Sequence, residues 1–129
     1  MSPAAATTML LVEDDPALSS TLARYFTARG YTVHVAESEE AAEAVVAEGL
    51  RPAVVILDVN LPGQTGWSLL RGTKLSEAGS PPVIVATATP VSPRQLKELG
   101  AAGYLPKPFP LETLRTTVER LLEPAGAEA

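Results

Sequence analysis

Short apolar runs alternate along this chain with stretches of helical periodicity. The densest run is Ala53 to Leu57 (AVVIL), which stops at Asp58; the chain then breaks at Pro62-Gly63. An unbroken apolar run of this length predicts a strand buried on both faces, as in a parallel sheet covered by helices. Thr8 to Val12 predicts an earlier strand, closed by the acidic run Glu13-Asp14-Asp15. Pro16 suits the first helical position with Asp15 as cap, and the helix is expected to run to about Arg29. Leu18, Leu22, Tyr25 and Phe26 form its apolar stripe, and Gly30 ends it. Tyr31 to Ala36 predicts a second strand. Ser38 starts a second helix with Glu39 and Glu40 in its first turn, where the dipole favours acids. Ala42, Val45 and Val46 face inward, and Gly49 closes it.

After Asp58 the pattern predicts a helix from Thr65 to about Ala78, with Trp67, Leu70 and Leu75 among its apolar positions. Its interior Gly72 costs about 1 kcal/mol relative to alanine. Pro81-Pro82 precedes a fourth apolar strand, Val83 to Thr87. A short helix starts at Pro93 under a Ser92 cap and ends at Gly100. Gly103 to Leu105 predicts a brief fifth strand, followed by Lys107 between two prolines. The last helix covers about Leu111 to Glu123, with Leu114, Val118, Leu121 and Leu122 at helical spacing. Pro110 stands where a side-chain oxygen would normally cap it, so its start is expected to be weak or shifted. Strict β-α alternation predicts a parallel sheet between helices, joined by right-handed crossovers.

Composition narrows the class. The 129 residues suit one domain able to bury roughly two-thirds of its unfolded surface. Cysteine is absent, which excludes a disulfide framework and thiolate metal sites and is compatible with a reducing cytoplasm. The net charge of −5 argues against nucleic-acid binding by this domain. No apolar run approaches a membrane span, and MSPAAATT is not a secretory signal. Residues 1–7 read as a loose tail, 8–123 as the domain, and 124–129 as a second tail or the start of a linker.

Candidate chemistry collects at the predicted strand ends: Glu13 and Asp14 after the first, Asp58 after the third, Thr87 ending the fourth and Lys107 after the fifth. In a parallel sheet these ends share one edge, where open α/β sheets bind ligands. Taken singly, Asp58 and the Glu13-Asp14 pair read as turn or cap residues, Thr87 as a strand-end hydroxyl and Lys107 as a surface lysine. Together they describe a pocket in which carboxylates repel, at about 4 kcal/mol for unit charges about 4 Å apart at a dielectric of 20. Lys107 supplies one compensating charge and a hard divalent cation two. Mg2+ suits oxygen ligands best, with Asp14 and Asp58 bound directly, Glu13 directly or through water, and a backbone carbonyl near Asn60. Asp58 is then expected to be an exposed carboxylate nucleophile toward a phosphoryl group, with Thr87 donating to a phosphoryl oxygen.

The motifs LLVEDD, VVILDVNLPG, VIVATA and GYLPKPF, in this order and spacing, resemble the bacterial response-regulator receiver domain over about Thr8 to Glu123. The resemblance implies a doubly wound (βα)5 flavodoxin-like fold: a five-stranded parallel sheet in the order 2-1-3-4-5 with helices on both faces. It implies a cytoplasmic, phosphorylation-controlled switch of a two-component phosphorelay, a signalling domain rather than an enzyme. A histidine kinase or histidine phosphotransfer protein would charge Asp58 with Mg2+ as cofactor. The output would be a changed surface around the fourth helix, fifth strand and fifth helix, read by an effector domain, a partner protein or a second copy. Glu13 and Asp14 match the acidic pair, Asp58 the phosphoacceptor and Asn60 the carbonyl metal ligand. Thr87 and Lys107 match the phosphoryl-binding hydroxyl and lysine, Tyr104 the aromatic switch position, and Lys107-Pro108 a bond that is cis in the family.

Departures from the pattern sit between Thr87 and Lys107, a segment a couple of residues short, stiffened by Pro90 and Pro93 and carrying Thr89 where a longer polar residue is common. They concern the output surface and the phosphoryl lifetime. Two other functions compete. A haloacid-dehalogenase-like phosphohydrolase needs an acid two residues after its nucleophile, where this chain has Asn60. A binding-only module would keep the fold without the chemistry. Dinucleotide binding is disfavoured because the first turn is EDDP rather than glycine-rich. His34 reads as packing or surface, Trp67 as packing or exposed near the site, and the cations at 94, 97, 115 and 120 as solvated helix faces.

Overall fold

The computed structural model describes residues 7–61, 64–65 and 81–122. The expected helix over 65–78 does not begin at Thr65, which pairs with Asn60 in an antiparallel strand; its remaining positions, Pro62-Gly63, residues 1–6 of the first tail and all of the second lie outside the described residues. In chain order the elements are β1 (Thr7–Val12), α1 (Pro16–Thr27), β2 (Tyr31–Ala36), α2 (Glu39–Ala47) and β3 (Val54–Leu57). There follow β4 (Asn60–Leu61), β5 (Gln64–Thr65), β6 (Val83–Thr87), α3 (Pro93–Leu99), β7 (Gly103–Pro106) and α4 (Leu111–Leu122).

Five strands form one parallel sheet in the order β2-β1-β3-β6-β7. Counting the main strands alone, this is 2-1-3-4-5, the doubly wound flavodoxin-like fold. The antiparallel pair β4-β5 stands apart. It has no counterpart in the sequence reading, because two-residue strands carry no periodicity.

Strand pleating divides the core into two layers. Leu10 and Val12 of β1 join Val55, Leu57, Val83 and Val85 on one face, where Ala42 and Val46 of α2 cover them. Met9 and Leu11 join Val54, Ile56, Ile84 and Ala86 on the other, under Leu22 and Phe26 of α1 and Leu114 and Val118 of α4. Because β3 is covered on both sides, all four of its residues are buried. β2 lies at the edge, with His34 exposed.

Local chemistry sets the helix ends. The Asp15 carboxylate accepts from Ala17 N–H and Leu18 N–H, which starts α1 at Pro16. α1 stops at Thr27, short of the expected Arg29. Arg29 N–H and Gly30 N–H bond three residues back, to Phe26 O and Thr27 O, and Gly30 adopts a φ of 95°. Ser92 and Gln95 form a reciprocal capping box on α3, whose seven residues end at left-handed Gly100 (φ 71°). At α4, where Pro110 offers no side-chain acceptor, the Pro110 carbonyl takes both Thr113 N–H and Leu114 N–H. Arg115 departs from the solvated-face reading. Its Nε donates to Tyr25 Oη at 3.1 Å, and its terminal nitrogens pair with Glu112 and Glu119 at 3.2 Å, tying α4 to α1.

Candidate functional site

Sheet register assembles the site before any side chain is considered. Val12 pairs with Leu57, so the next residues, Glu13 and Asp58, leave neighbouring strands at the same level. Asp58 N–H donates to Val12 O at 3.0 Å, and Glu13 N–H to Ala36 O at 2.9 Å. Thr87 pairs with Pro106, and Lys107 N–H donates to Thr87 O at 3.0 Å. The Lys107–Pro108 peptide bond is cis. β1 and β3 flank the point where the sheet order reverses, the crevice in which open α/β sheets bind ligands.

Side chains close the cluster. Lys107 Nζ lies 2.7 Å from Glu13 Oε1 and 2.8 Å from Asp58 Oδ2, so one ammonium bridges two acids. Glu13 Oε2 accepts from Asp15 N–H at 3.1 Å. Carboxylate oxygens of Glu13, Asp14 and Asp58 lie within 4.8 Å of one another, with Asp14 exposed and the other two buried. Asp58, expected as an exposed nucleophile, retains only 6% of its surface. The buried β3 carries it below the rim, where it packs against the lysine. Asn60 opens β4 opposite Thr65.

Burial pushes the Glu13 carboxyl above its ordinary value, and Lys107 offsets that only in part. For Lys107 the balance reverses: burial alone would lower it, but contact with Asp58 and Glu13 outweighs burial and holds the ammonium above its usual range.

Thr87 is fully buried, and its hydroxyl accepts from Thr89 N–H at 3.2 Å, turned toward its own loop. Tyr104 lies opposite Val85 in the β6–β7 register and packs, half-buried, against the α2-side core layer with Val91, Leu96 and Ala101. The sequence reading missed two backbone donors, Asp15 N–H on Glu13 and Thr89 N–H on Thr87. Nothing in a residue's identity announces a main-chain donor.

The donor set fits a hard divalent cation: three carboxylates converge, one of them open to solvent, and every donor is oxygen. Fold and site together define an α/β domain with an acidic, lysine-bridged pocket at its topological switch point. The model of the response regulator receiver domain matches residues 9–119. The chain is 38% identical over 118 residues to the sensor kinase CckA of Brucella abortus, covering 90% of this chain and 12% of that protein. It is 36% identical over 117 residues to the response regulator MprA of Mycobacterium ulcerans, covering 88% of this chain and 49% of that one. The chain thus spans half or less of these relatives. Among solved structures, the non-phosphorylated HemR receiver domain of Leptospira biflexa superposes with a TM-score of 0.81 at 31% identity, over 92% of this chain and 95% of that one. This chain belongs to the response regulator receiver domain family of two-component systems. No helix among the described residues is long and apolar enough to cross a membrane.

Proposed function

We propose that this domain is a phosphorylation-controlled switch that takes a phosphoryl group onto Asp58 from a phosphohistidine of a sensor kinase or phosphotransfer protein. The observation that carries the reading is the Lys107 ammonium bridging Asp58 and Glu13 in a pocket of three carboxylates. A buried nucleophile of this kind needs compensation before it can approach an anionic phosphoryl group. Asp14 and Asp58, with Glu13 and the Asn60 carbonyl, would hold Mg2+, which when bound neutralises charge on the phosphoryl oxygens.

The chain's own residues supply the rest. An Asp58 oxygen forms the O–P bond as the P–N bond to histidine breaks, and the leaving imidazole nitrogen keeps the electron pair. Lys107 Nζ, already beside Asp58, reaches a phosphoryl oxygen. Thr87 turns its hydroxyl from Thr89 N–H toward another. Tyr104, packed on the same edge, follows the space that Thr87 vacates, and the surface around α3, β7 and α4 changes. That surface addresses an effector domain, a partner protein or a second copy of the chain. The family's signalling role and the similarity to part of a sensor kinase support a kinase or phosphotransfer protein as donor, and a cytoplasmic setting.

Intact mass after incubation with acetyl phosphate tests the reading. Wild type is expected to gain one phosphoryl group only with Mg2+, and Asp58→Asn none. A folded wild-type protein that gains nothing would make this a binding-only module.

A further inference from the structure

We propose that the β2 edge of the sheet is an interface between two copies of this chain, paired antiparallel about Val33. This surface lies at the opposite edge of the sheet from β7 and draws nothing from the phosphorylation reading. Among the described residues, β2 has a strand neighbour on one side only, β1. An edge strand presents unpaired backbone N–H and C=O groups, which soluble proteins blunt with charge, proline or short length. The other edge follows that rule: β7 has four residues, ends at Pro106 and is followed by Lys107 and Pro108. β2 does not. Its six residues, Tyr31 to Ala36, include no proline, acid, lysine or arginine. Val35 is 47% exposed, the one large apolar side chain left open among the described residues.

Backbone direction limits how a second copy can pair. The Ala36 carbonyl accepts from Glu13 N–H, so Ala36, His34 and Thr32 turn their backbone groups toward β1. By alternation, Tyr31, Val33 and Val35 turn theirs outward. The side chains of these three share the α1 face, because they stand opposite Thr7, Met9 and Leu11, and Tyr31 and Val33 pack on that core layer. Pairing about Val33 sets Val33 against its own copy and Val35 against Tyr31 of the second copy, an aromatic–β-branched cross-strand pair. The Tyr31 ring is already fixed edge-on to Phe26, with centroids 5.2 Å apart, and offers a firm platform. On the other face Thr32 meets His34 of the second copy.

Charge selects the same register. Exposed Glu37, just past the strand, comes to the end at which Arg29 of the second copy enters. Arg29 is also exposed; Nη1 donates to Tyr25 O at 3.0 Å and the guanidinium carbon lies 3.7 Å over the Tyr25 ring. Its planar fork keeps further donors for a carboxylate. Moving the centre to His34 would set Tyr31 against Glu37 and lose this ion pair. The two-fold repeats each contact and uses up both open edges, so the assembly closes as a dimer.

Sedimentation velocity of the full chain, in EDTA and without a phosphodonor, tests the proposal over about 10 μM to about 1 mM. Wild type is expected to show a reversible monomer–dimer equilibrium with a Kd of about 100 μM, as suits a small interface. Val35→Lys is expected to weaken it about tenfold or more. Glu37→Arg sets like charges together at both ends and is expected to weaken it about tenfold, while adding Arg29→Glu restores it. A wild type that stays monomeric throughout overturns the proposal. So does a dimer that persists in Val35→Lys, which must use another face. A dimer indifferent to Glu37→Arg, or one that the double exchange does not restore, overturns the register about Val33. If Val35→Lys does not fold by circular dichroism, Val35→Thr is expected to weaken the dimer about threefold, and an unchanged Kd overturns the proposal.

Discussion

A single ammonium between two buried acids makes the pocket sensitive to one-atom changes. Removing Lys107 leaves Glu13 and Asp58 without their compensating charge. Loss of one partner from a fully buried pair costs about 3–5 kcal/mol, and the partial exposure of Lys107 lowers the expected loss to about 2–3 kcal/mol. Urea unfolding of Lys107→Met in EDTA checks it. Asp14→Asn acts in the opposite direction: it removes a like charge from the cluster and should raise the melting temperature in EDTA while abolishing the Mg2+-dependent rise. The pH dependence follows from two shifts of the same sign. Lys107 is held above 10.5 in the folded protein, so its stabilisation is complete below pH 10.5 and fades as pH climbs through the folded value. Glu13 is raised above 4.5, so its contribution is present below pH 4.5 and is lost as pH rises through its folded value. Wild type minus Lys107→Met stability should therefore fall in the alkaline range. Wild type minus Glu13→Gln should rise as pH drops toward 4.5. Denaturant unfolding across pH reads both differences. The convergence of these residues was legible from their places after predicted strands. The burial of Asp58 was not, because a strand-end acid looks alike in sequence whether it sits at the rim or below it.

Helices and strands here are held by their ends and by their buried stripes, and the two respond differently to substitution. Ser92→Ala breaks the α3 capping box and is expected to cost about 1 kcal/mol. Phe26→Ala empties a fully buried site between α1 and the sheet and should cost about 3–5 kcal/mol by chemical denaturation. The caps at Asp15, Ser38 and Ser92 were readable because a side-chain oxygen before a helical pattern has a local role. The end of α1 was less so: whether a last turn keeps four-residue spacing or tightens to three is decided by backbone geometry around Gly30. Arg115 shows the same limit from another side. Its bond to Tyr25 joins residues 90 positions apart, and helical periodicity alone places it among solvated cations.

At the scale of the molecule, chain order and strand register place the site residues on one edge. Strict β-α alternation demands a parallel sheet, and a parallel sheet brings all strand carboxyl ends to one edge. The order β2-β1-β3-β6-β7 then sets Glu13 and Asp58 side by side and Lys107 one strand beyond Thr87. Sequence patterning reached the alternation, and the motif resemblance supplied the strand order. The antiparallel β4-β5 pair, two residues on each side, lay below the resolution of any periodicity. On the proposed function, Asp58 at this edge accepts the phosphoryl group. Borohydride reduction after incubation with acetyl phosphate and Mg2+, followed by peptide mass spectrometry, tests it most directly, because reduction turns an aspartyl phosphate into homoserine. Homoserine at position 58, absent when Mg2+ is withheld, is the predicted result. Homoserine at another acid such as Asp14, or none at all in the folded protein, would contradict the account.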